Sequence, residues 1–178
     1  MNVFISGGCK NGKSHFAQRE AKRQADACGR PLYYVATMIP ADDEDRERIK
    51  RHIADRDGWG FTTLERGTDI SDLLDRDDVD REGVFLVDSV TALLGNEMFS
   101  AGGEPDMSAA ERCAEDLARF AEKTGNCVFV SDFIYDDAEY YDELTEMYRK
   151  GLAHIDRRLA QVCDRVIEAA FGCTEIWK

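Results

Sequence analysis

The stretch Gly7-Gly8-Cys9-Lys10-Asn11-Gly12-Lys13-Ser14 matches the pattern G-x-x-x-x-G-K-[ST] at every fixed position. The apolar run Val3-Phe4-Ile5 precedes it and a helix-like segment follows, which is the strand–loop–helix context that this phosphate-binding motif requires. The glycines allow backbone N–H groups to point at phosphates, and the helix N-terminus adds its positive end. In such a loop Lys13 reaches the terminal phosphates and the Ser14 hydroxyl contacts Mg²⁺. We therefore predict that residues 7–14 bind a nucleoside triphosphate.

Composition and charge exclude several classes of protein. The chain of 178 residues is 43% hydrophobic and 33% charged, which suits a single nucleotide-binding domain over residues 1–178. It contains no apolar run near the roughly 18 residues of a membrane span, and its net charge of −13 argues against nucleic acid or an anionic membrane as a partner. The first residues lack the basic region and long apolar core of a signal peptide, and the six cysteines form no C-x-x-C pair. We expect a cytoplasmic protein with reduced thiols.

Apolar runs alternate with helix-like segments along the chain. Runs without polar alternation are typical of strands that are buried on both faces of a parallel sheet. Together with the leading phosphate loop, this alternation predicts a P-loop α/β fold with a mostly parallel central sheet flanked by helices. The predicted strands are 3–5, 32–36, 84–87, 127–130 and 166–170, and the predicted helices cover about 14–27, 43–56, 108–123 and 137–162.

Two of the predicted strands end in an aspartate. Asp88 follows the third strand and Asp132 follows the fourth. Because parallel strands end at one rim of a sheet, where ligands bind in open α/β folds, both carboxylates are candidates for the Mg²⁺ beside the phosphates. We assign Ser14 and Asp88 to the metal and keep Asp132 as a rival. The alternative role of Asp88 is to cap the helix that follows.

A histidine lies between two arginines in the charged segment 43–56. Spacing of four places Arg48, His52 and Arg56 on one face of the predicted helix. The guanidinium groups could hold phosphates, and a neutral imidazole could attack an α-phosphate to form a phosphoramidate. The alternative is a solvated charged helix on which His52 has no chemical role. His15, which could pack or cap beside the phosphate loop, and His154, which we expect at the surface, are weaker candidates.

Several of these motifs resemble those of the bifunctional adenosylcobinamide kinase / adenosylcobinamide-phosphate guanylyltransferase family. The phosphate loop followed by Tyr34-Val35-Ala36-Thr37 is similar to the start of that family, and Val87-Asp88-Ser89-Val90-Thr91 is similar to its V-D-C-L-T segment. The family's D-E…R-I-x-x-H-x-x-x-R…W…E pattern is matched by Asp43-Glu44, Arg48-Ile49, His52, Arg56, Trp59 and Glu65.

The resemblance implies a P-loop fold of the RecA type and two activities. The first is phosphorylation of the hydroxyl of adenosylcobinamide by ATP or GTP, and the second is transfer of GMP from GTP to the new phosphate. It implies that His52 is guanylylated, that Lys13 is catalytic and that Asp88 serves Mg²⁺. It also implies a corrinoid substrate and a homotrimer. The nucleotide-binding residues would be Gly7, Gly8, Cys9, Lys10, Asn11, Gly12, Lys13, Ser14, Arg48, Arg56 and Glu65.

The chain departs from the family pattern at a few positions. Lys10 stands where the loop of the family has an Arg, and Asp156 stands where the family has an Asn near the last helix. The family's N-E-V-G-x-G-I-V-P stretch after the fourth strand is replaced by residues 132–140. Two other interpretations therefore stay open. One is a P-loop kinase of another small metabolite, and the other is a nucleotide-binding regulatory protein without turnover, whose acidic segment 132–146 would face a partner.

Overall fold

The central feature of the computed structural model is a mostly parallel sheet. The structure describes residues 1–40, 42–99 and 103–178, apart from the side chains of Arg48 and Asp55. Within these ranges the strands are β1 (Val3–Gly7), β2 (Leu32–Ala36), β3 (Phe61–Glu65), β4 (Val84–Asp88), β5 (Cys127–Asp132), β6 (Arg165–Ala170) and β7 (Cys173–Ile176). Their order across the sheet is β3-β2-β4-β5-β1-β6-β7, and only the β6–β7 pair of this set is antiparallel.

Helices cover both faces of the sheet. They are α1 (Lys13–Cys28), α2 (Asp43–Asp55), α3 (Val90–Met98), α4 (Ala109–Thr124) and α5 (Glu143–Val162), with a 3₁₀ helix at Ile70–Asp75. Successive strand residues point to opposite faces, so Ile5 packs with the buried alanines of α1, whereas Phe4 packs with α3, α4 and α5. None of the described helices combines the length and the apolar character that a membrane crossing requires.

The middle strands are buried on both sides, which is why they stand out in the sequence. Val84, Phe85, Leu86 and Val87 of β4 are each 0% exposed. Phe85 stacks on Tyr33 of β2 at a ring-centroid distance of 4.9 Å and meets Phe120 of α4 at 5.1 Å. Truncation of such a side chain to alanine costs about 3–5 kcal/mol of stability.

The observed elements confirm the predicted fold class and correct some of its details. The five predicted strands are present, but β3, β7 and α3 were not predicted. The predicted helix 137–162 was wrong at its start, since α5 begins at Glu143. Asp142 sets this boundary because its carboxylate accepts hydrogen bonds from the backbone N–H and the hydroxyl of Thr145. Residues 133–142 therefore form the connection between β5 and α5.

The carboxyl ends of three neighbouring strands lie together at one rim of the sheet. Gly7 at the end of β1 is paired with Asp132 at the end of β5, and Asp88 at the end of β4 is paired with Val130 of β5. The phosphate loop leaves β1 at this rim and enters α1. The two carboxylates proposed from the sequence thus lie on adjacent strands beside the loop.

Candidate functional site

The phosphate loop is fixed by two glycines and a lysine. A Cβ atom on Gly7 would lie 2.2 Å from the carbonyl oxygen of Ala169, so no larger residue fits at this position. Gly12 is the N-cap of α1 with φ of 81°, in the left-handed region that favours glycine. The Lys13 side chain is 6% exposed; its ammonium donates to the carbonyl oxygen of Gly8 at 2.7 Å and lies 2.8 Å from Asp132 Oδ1. The loop lysine is therefore held at the rim by the last residue of β5.

Asp88 is oriented by a tyrosine and does not cap the next helix. The Tyr34 hydroxyl donates to Asp88 Oδ2 at 3.0 Å. The N-cap of α3 is Ser89, whose hydroxyl oxygen accepts from the backbone N–H of Ala92 at 3.2 Å. The capping role that was the alternative for Asp88 thus belongs to its neighbour, and the carboxylate of Asp88 faces the rim.

The oxygen donors at the rim fit a magnesium ion. Mg²⁺ is usually bound by one or two carboxylates together with phosphates and water, and Ser14 and Asp88 supply a hydroxyl and a carboxylate in the same cavities. The residues that the structure describes contain no group of three or more His, Cys, Asp or Glu side chains suited to a metal. This donor set is compatible with a metal that arrives with a nucleotide.

Two cavities adjoin at this rim. The larger, of about 940 Å³, is formed around the phosphate loop and includes Cys9, Lys10, Asn11 and Asp132. The smaller, of about 550 Å³, lies between α2 and the ends of β2 and β3, and includes Arg56, Glu65 and Arg66. The residues that line both cavities are Ser14, His52, Asp88 and Ser89. His52 therefore stands at the border between the phosphate loop and a second space of ligand size.

Helix α2 carries His52 in its last turn. Asp42 caps the helix by accepting from the backbone N–H of Asp45 at 2.8 Å, and acidic residues of the first turn face the positive end of the helix dipole. His52 is partly exposed, and its imidazole makes no hydrogen bond among the described residues. Because the imidazole has no hydrogen-bond partner among the described residues, a ring nitrogen is available to a ligand in either cavity.

Arg56 is engaged with the protein rather than free at the surface. It lies just beyond the last residue of α2 and is 6% exposed. Its Nη1 donates to the carbonyl oxygen of His52 at 2.7 Å, and its Nη2 donates to Thr63 Oγ1 at 3.3 Å. Its guanidinium also lies 3.7 Å from the ring centroid of Tyr34. Arg56 thus fixes the end of α2 to the sheet, while the side chain of Arg48, the other arginine of the predicted stripe, lies outside the described part of the chain.

The remaining histidines differ in position. His15 lines the larger cavity and meets Trp59 edge to face at a ring-centroid distance of 5.8 Å. His154 is on the surface, as expected, and its Nε2 lies 3.0 Å from a carboxylate oxygen of Glu111. Sequence reasoning missed Tyr34 as a site residue. The sequence indicates this role only weakly, because Tyr33 and Tyr34 are adjacent and only the packing of the sheet decides which of them faces the rim.

Comparison with known proteins identifies the family. The model of the family "Cobinamide kinase / cobinamide phosphate guanyltransferase" matches residues 3–175. The chain belongs to this family. A relative from Escherichia coli K12, the bifunctional adenosylcobalamin biosynthesis protein CobU, is 30% identical over 123 residues, which are 68% of this chain and 64% of the relative. The protein of the same name from Salmonella typhimurium LT2 is 26% identical over 176 residues, which are 93% of each chain.

Solved structures confirm the fold of this cobinamide kinase / guanyltransferase family member. The KaiC-like protein PH0186 from Pyrococcus horikoshii OT3 superposes with a TM-score of 0.53 at 15% identity, covering 94% of this chain and 69% of that one. The ATPase domain of G40P superposes with a TM-score of 0.54 at 15% identity, covering 94% and 68%. These likenesses show the P-loop fold of the RecA type that the sequence predicted.

Proposed function

We propose that this chain phosphorylates adenosylcobinamide and then transfers GMP from GTP, through a guanylylated His52, to the adenosylcobinamide phosphate. The observation that carries the proposal is the position of His52, which lines both the cavity of the phosphate loop and the adjoining cavity of about 550 Å³. A nucleotide whose phosphates lie on residues 7–14 can thereby present phosphorus atoms to the histidine. Family membership supports the same pair of reactions.

In the kinase step the acceptor hydroxyl oxygen attacks the γ-phosphorus of ATP or GTP. The bond to the β,γ-bridging oxygen breaks, the nucleoside diphosphate leaves, and the hydroxyl proton is released to water. Lys13, the backbone N–H groups of the loop and the N-terminus of α1 stabilise the negative charge on the transferred group. Mg²⁺, when bound through Ser14 and Asp88, would neutralise charge on the β- and γ-phosphates.

In the guanylyl step a ring nitrogen of neutral His52 attacks the α-phosphorus of GTP. The bond to the α,β-bridging oxygen breaks and pyrophosphate leaves, which produces a phosphoramidate. A phosphate oxygen of the phosphorylated acceptor then attacks the same phosphorus, the P–N bond breaks, and the imidazole is restored. Arg56 would hold the end of α2 in place during both displacements, because it bonds the backbone carbonyl of the attacking residue.

Several parts of the proposal rest on the family resemblance. These are the corrinoid acceptor, the use of either ATP or GTP as phosphoryl donor and assembly as a trimer, whereas the proposed cytoplasmic location rests on composition and cysteine pattern. Arg48 and Glu65 are proposed to contact the nucleotide, and Glu65 lines the smaller cavity together with His52.

The experiment that tests the guanylyl step is labelling of the purified protein with α-³²P-GTP and Mg²⁺. We expect a label on the wild type that is lost in acid and stable in base, as a phosphoramidate is. His52→Ala should abolish it, and His154→Ala, the same substitution at a surface histidine, should keep it. A label that survives in His52→Ala would refute the assigned role of this residue.

A parallel experiment separates the kinase step. Transfer of ³²P from γ-³²P-labelled ATP or GTP to adenosylcobinamide should persist in His52→Ala and fall by about 10²- to 10³-fold in Lys13→Ala, because the loop lysine stabilises the transferred charge. Folded wild-type protein that binds GTP but transfers neither label would favour the regulatory interpretation. Transfer to other alcohols but not to adenosylcobinamide would favour a different acceptor.

A further inference from the structure

A third cavity lies on the face of the sheet that α5 covers. We call it the α5 cavity; it has a volume of about 320 Å³ and shares no lining residue with the two cavities at the rim. Its walls include the apolar side chains of Phe4, Val166 and Ala160. Three further aromatic side chains contribute to the lining: Phe133, Tyr135 and Trp177. Its size is at the lower end of small-molecule sites and suits one substituted ring.

Two polar groups in the α5 cavity have an unused hydrogen-bonding atom. Asp156 is 3% exposed; its Oδ2 accepts from the Tyr135 hydroxyl at 3.1 Å, while its Oδ1 is buried and without a hydrogen bond in the described part of the chain. The hydroxyl of Ser6 is likewise buried and unpartnered there. Burial of a polar atom without a partner costs free energy, so such atoms in a folded protein call for a specific reason.

Part of the lining of this cavity comes from positions at which the chain departs from its family pattern. Phe133 and Tyr135 belong to the replaced stretch 132–140, and Asp156 stands in place of the family's Asn. The hydrogen bond between Tyr135 and Asp156 joins these two departures. The two departures therefore meet in the lining of the α5 cavity.

The charge state of the cavity disfavours a charged ligand. Burial raises the pKa of Asp156 to about 7; the hydroxyls of Ser131 and Tyr135 oppose this shift and the charge of Asp132 adds to it. The Ser131 hydroxyl lies near the carboxyl but outside hydrogen-bonding geometry. Both signs of charge line the cavity, because Arg157 is present together with Glu168 and Asp156. A charged ligand of either sign would therefore meet a like charge and would lose its hydration in apolar surroundings. A neutral group that both donates and accepts hydrogen bonds avoids both costs.

We propose that the α5 cavity binds a primary carboxamide carried on an aromatic or other apolar body. The amide N–H donates to Asp156 Oδ1, and the amide oxygen accepts from the hydroxyl of Ser6. The apolar body packs between Phe133 and Trp177. The α5 cavity shares no lining residue with the two rim cavities and meets the phosphate loop at Gly7. The proposal does not depend on the guanylyl step.

Three probes of the same shape test the proposal: benzamide, benzamidine and benzoate. Trp177 reports on them because its indole Nε1 donates to Glu168 Oε2 at 3.0 Å at the cavity. The two tryptophan indole signals of ¹⁵N-labelled protein are assigned with Trp59→Phe. We expect benzamide to shift the Trp177 signal saturably at pH 7, and benzamidine and benzoate to bind about tenfold or more weakly. Equal binding of all three, or of none, would overturn the proposal.

Variants locate the amide within the cavity. Ser6→Ala and Asp156→Asn should each weaken benzamide binding by about fivefold, the effect of one lost hydrogen bond. Ser71→Ala is the control, because it removes a part-buried hydroxyl that donates to the backbone carbonyl of Asp116 and does not line the cavity. An equal loss in this control, or no loss in either test variant, would contradict the assigned contacts. The same spectra show whether each variant is folded. If one test variant is unfolded, the other test variant and the three probes with the wild-type protein still test the proposal.

Discussion

The ammonium of Lys13 lies 2.8 Å from Asp132 Oδ1, so the lysine of the phosphate loop is paired with the carboxylate that ends the neighbouring strand. Both groups are largely withdrawn from solvent, with side-chain exposures of 6% and 27%. The phosphates of a nucleotide would compete with Asp132 for this ammonium. The two rim aspartates thus have different surroundings, since Asp88 accepts from Tyr34 and Asp132 holds the loop lysine.

Asp132→Asn should therefore bind nucleotides more tightly. The substitution removes a negative charge beside the triphosphate and leaves Lys13 without its charged partner, so we expect the Kd for GTP to fall by about tenfold. Titration with a fluorescent GTP analogue measures this change. Asp26→Asn, which breaks a Lys–Asp pair on the surface of α1, is the control and should leave Kd unchanged. Weaker binding by Asp132→Asn would mean that Asp132 positions Lys13 for the nucleotide and does not compete with it.

Tyr34→Phe tests the orientation of Asp88. The variant loses the hydroxyl that donates to Asp88 Oδ2 at 3.0 Å, so the Mg²⁺ concentration for half-maximal phosphoryl transfer should rise by about fivefold. Tyr33→Phe is the control, because it removes the same hydroxyl group from the same strand. The hydroxyl of Tyr33 accepts from the backbone N–H of Asp80 at 3.0 Å, away from the rim. That control should lose about 1 kcal/mol of stability and keep the Mg²⁺ dependence. Equal Mg²⁺ curves for all three proteins would remove Tyr34 from the metal site.

Sequence reasoning could predict the fold because the central strands are buried on both faces. The run Val84–Val87 predicts a strand that is buried on both faces. Strand β3 could not be recognised, because Thr62, Thr63 and Glu65 are exposed at the edge of the sheet. Helix α3 follows β4 after a single residue, and its apolar sequence reads as a continuation of the strand.

The candidate site could be predicted only in part, for a related reason. The loop residues and the strand-end aspartates follow from motif and topology. The contact of Arg56 with Tyr34 joins residues that are far apart in sequence, and no periodicity predicts it. Helical spacing placed Arg56 on the face of His52, but the guanidinium turns back to the carbonyl oxygen of that residue.

Arg56→Lys should separate the two activities. A lysine keeps the charge but loses the flat stacking on Tyr34 and the simultaneous bonds to His52 and Thr63. We expect the rate of His52 guanylylation to fall by about tenfold while phosphoryl transfer changes little. Single-turnover labelling with α-³²P-GTP measures the first rate. Arg23→Lys changes an exposed arginine that pairs with the buried Glu20 on α1, away from both rim cavities, and should alter neither rate. A matching loss of both activities in Arg56→Lys would indicate a general structural role.

Asp156→Asn should change how stability depends on pH. In the folded protein burial raises the pKa of Asp156 from 3.8 to about 7, so between these values the folded state binds more protons than the unfolded state. Stability must then fall as the pH rises through this window. Asparagine cannot titrate and can still accept from Tyr135, so the variant should gain stability relative to wild type between pH 5 and pH 8, by on the order of a few kcal/mol.

Urea unfolding at pH 5, 6, 7 and 8 measures this difference. Other titrating groups are common to both proteins and cancel when the two free energies of unfolding are subtracted. Asp78→Asn is the control, because Arg76 lowers the pKa of Asp78 and moves its effect on stability below this pH range. A difference between wild type and Asp156→Asn that does not vary with pH would mean that Asp156 is already ionised in the folded protein at pH 5. In that case an ionised carboxylate would face the α5 cavity, and a cationic ligand would suit it better than a carboxamide.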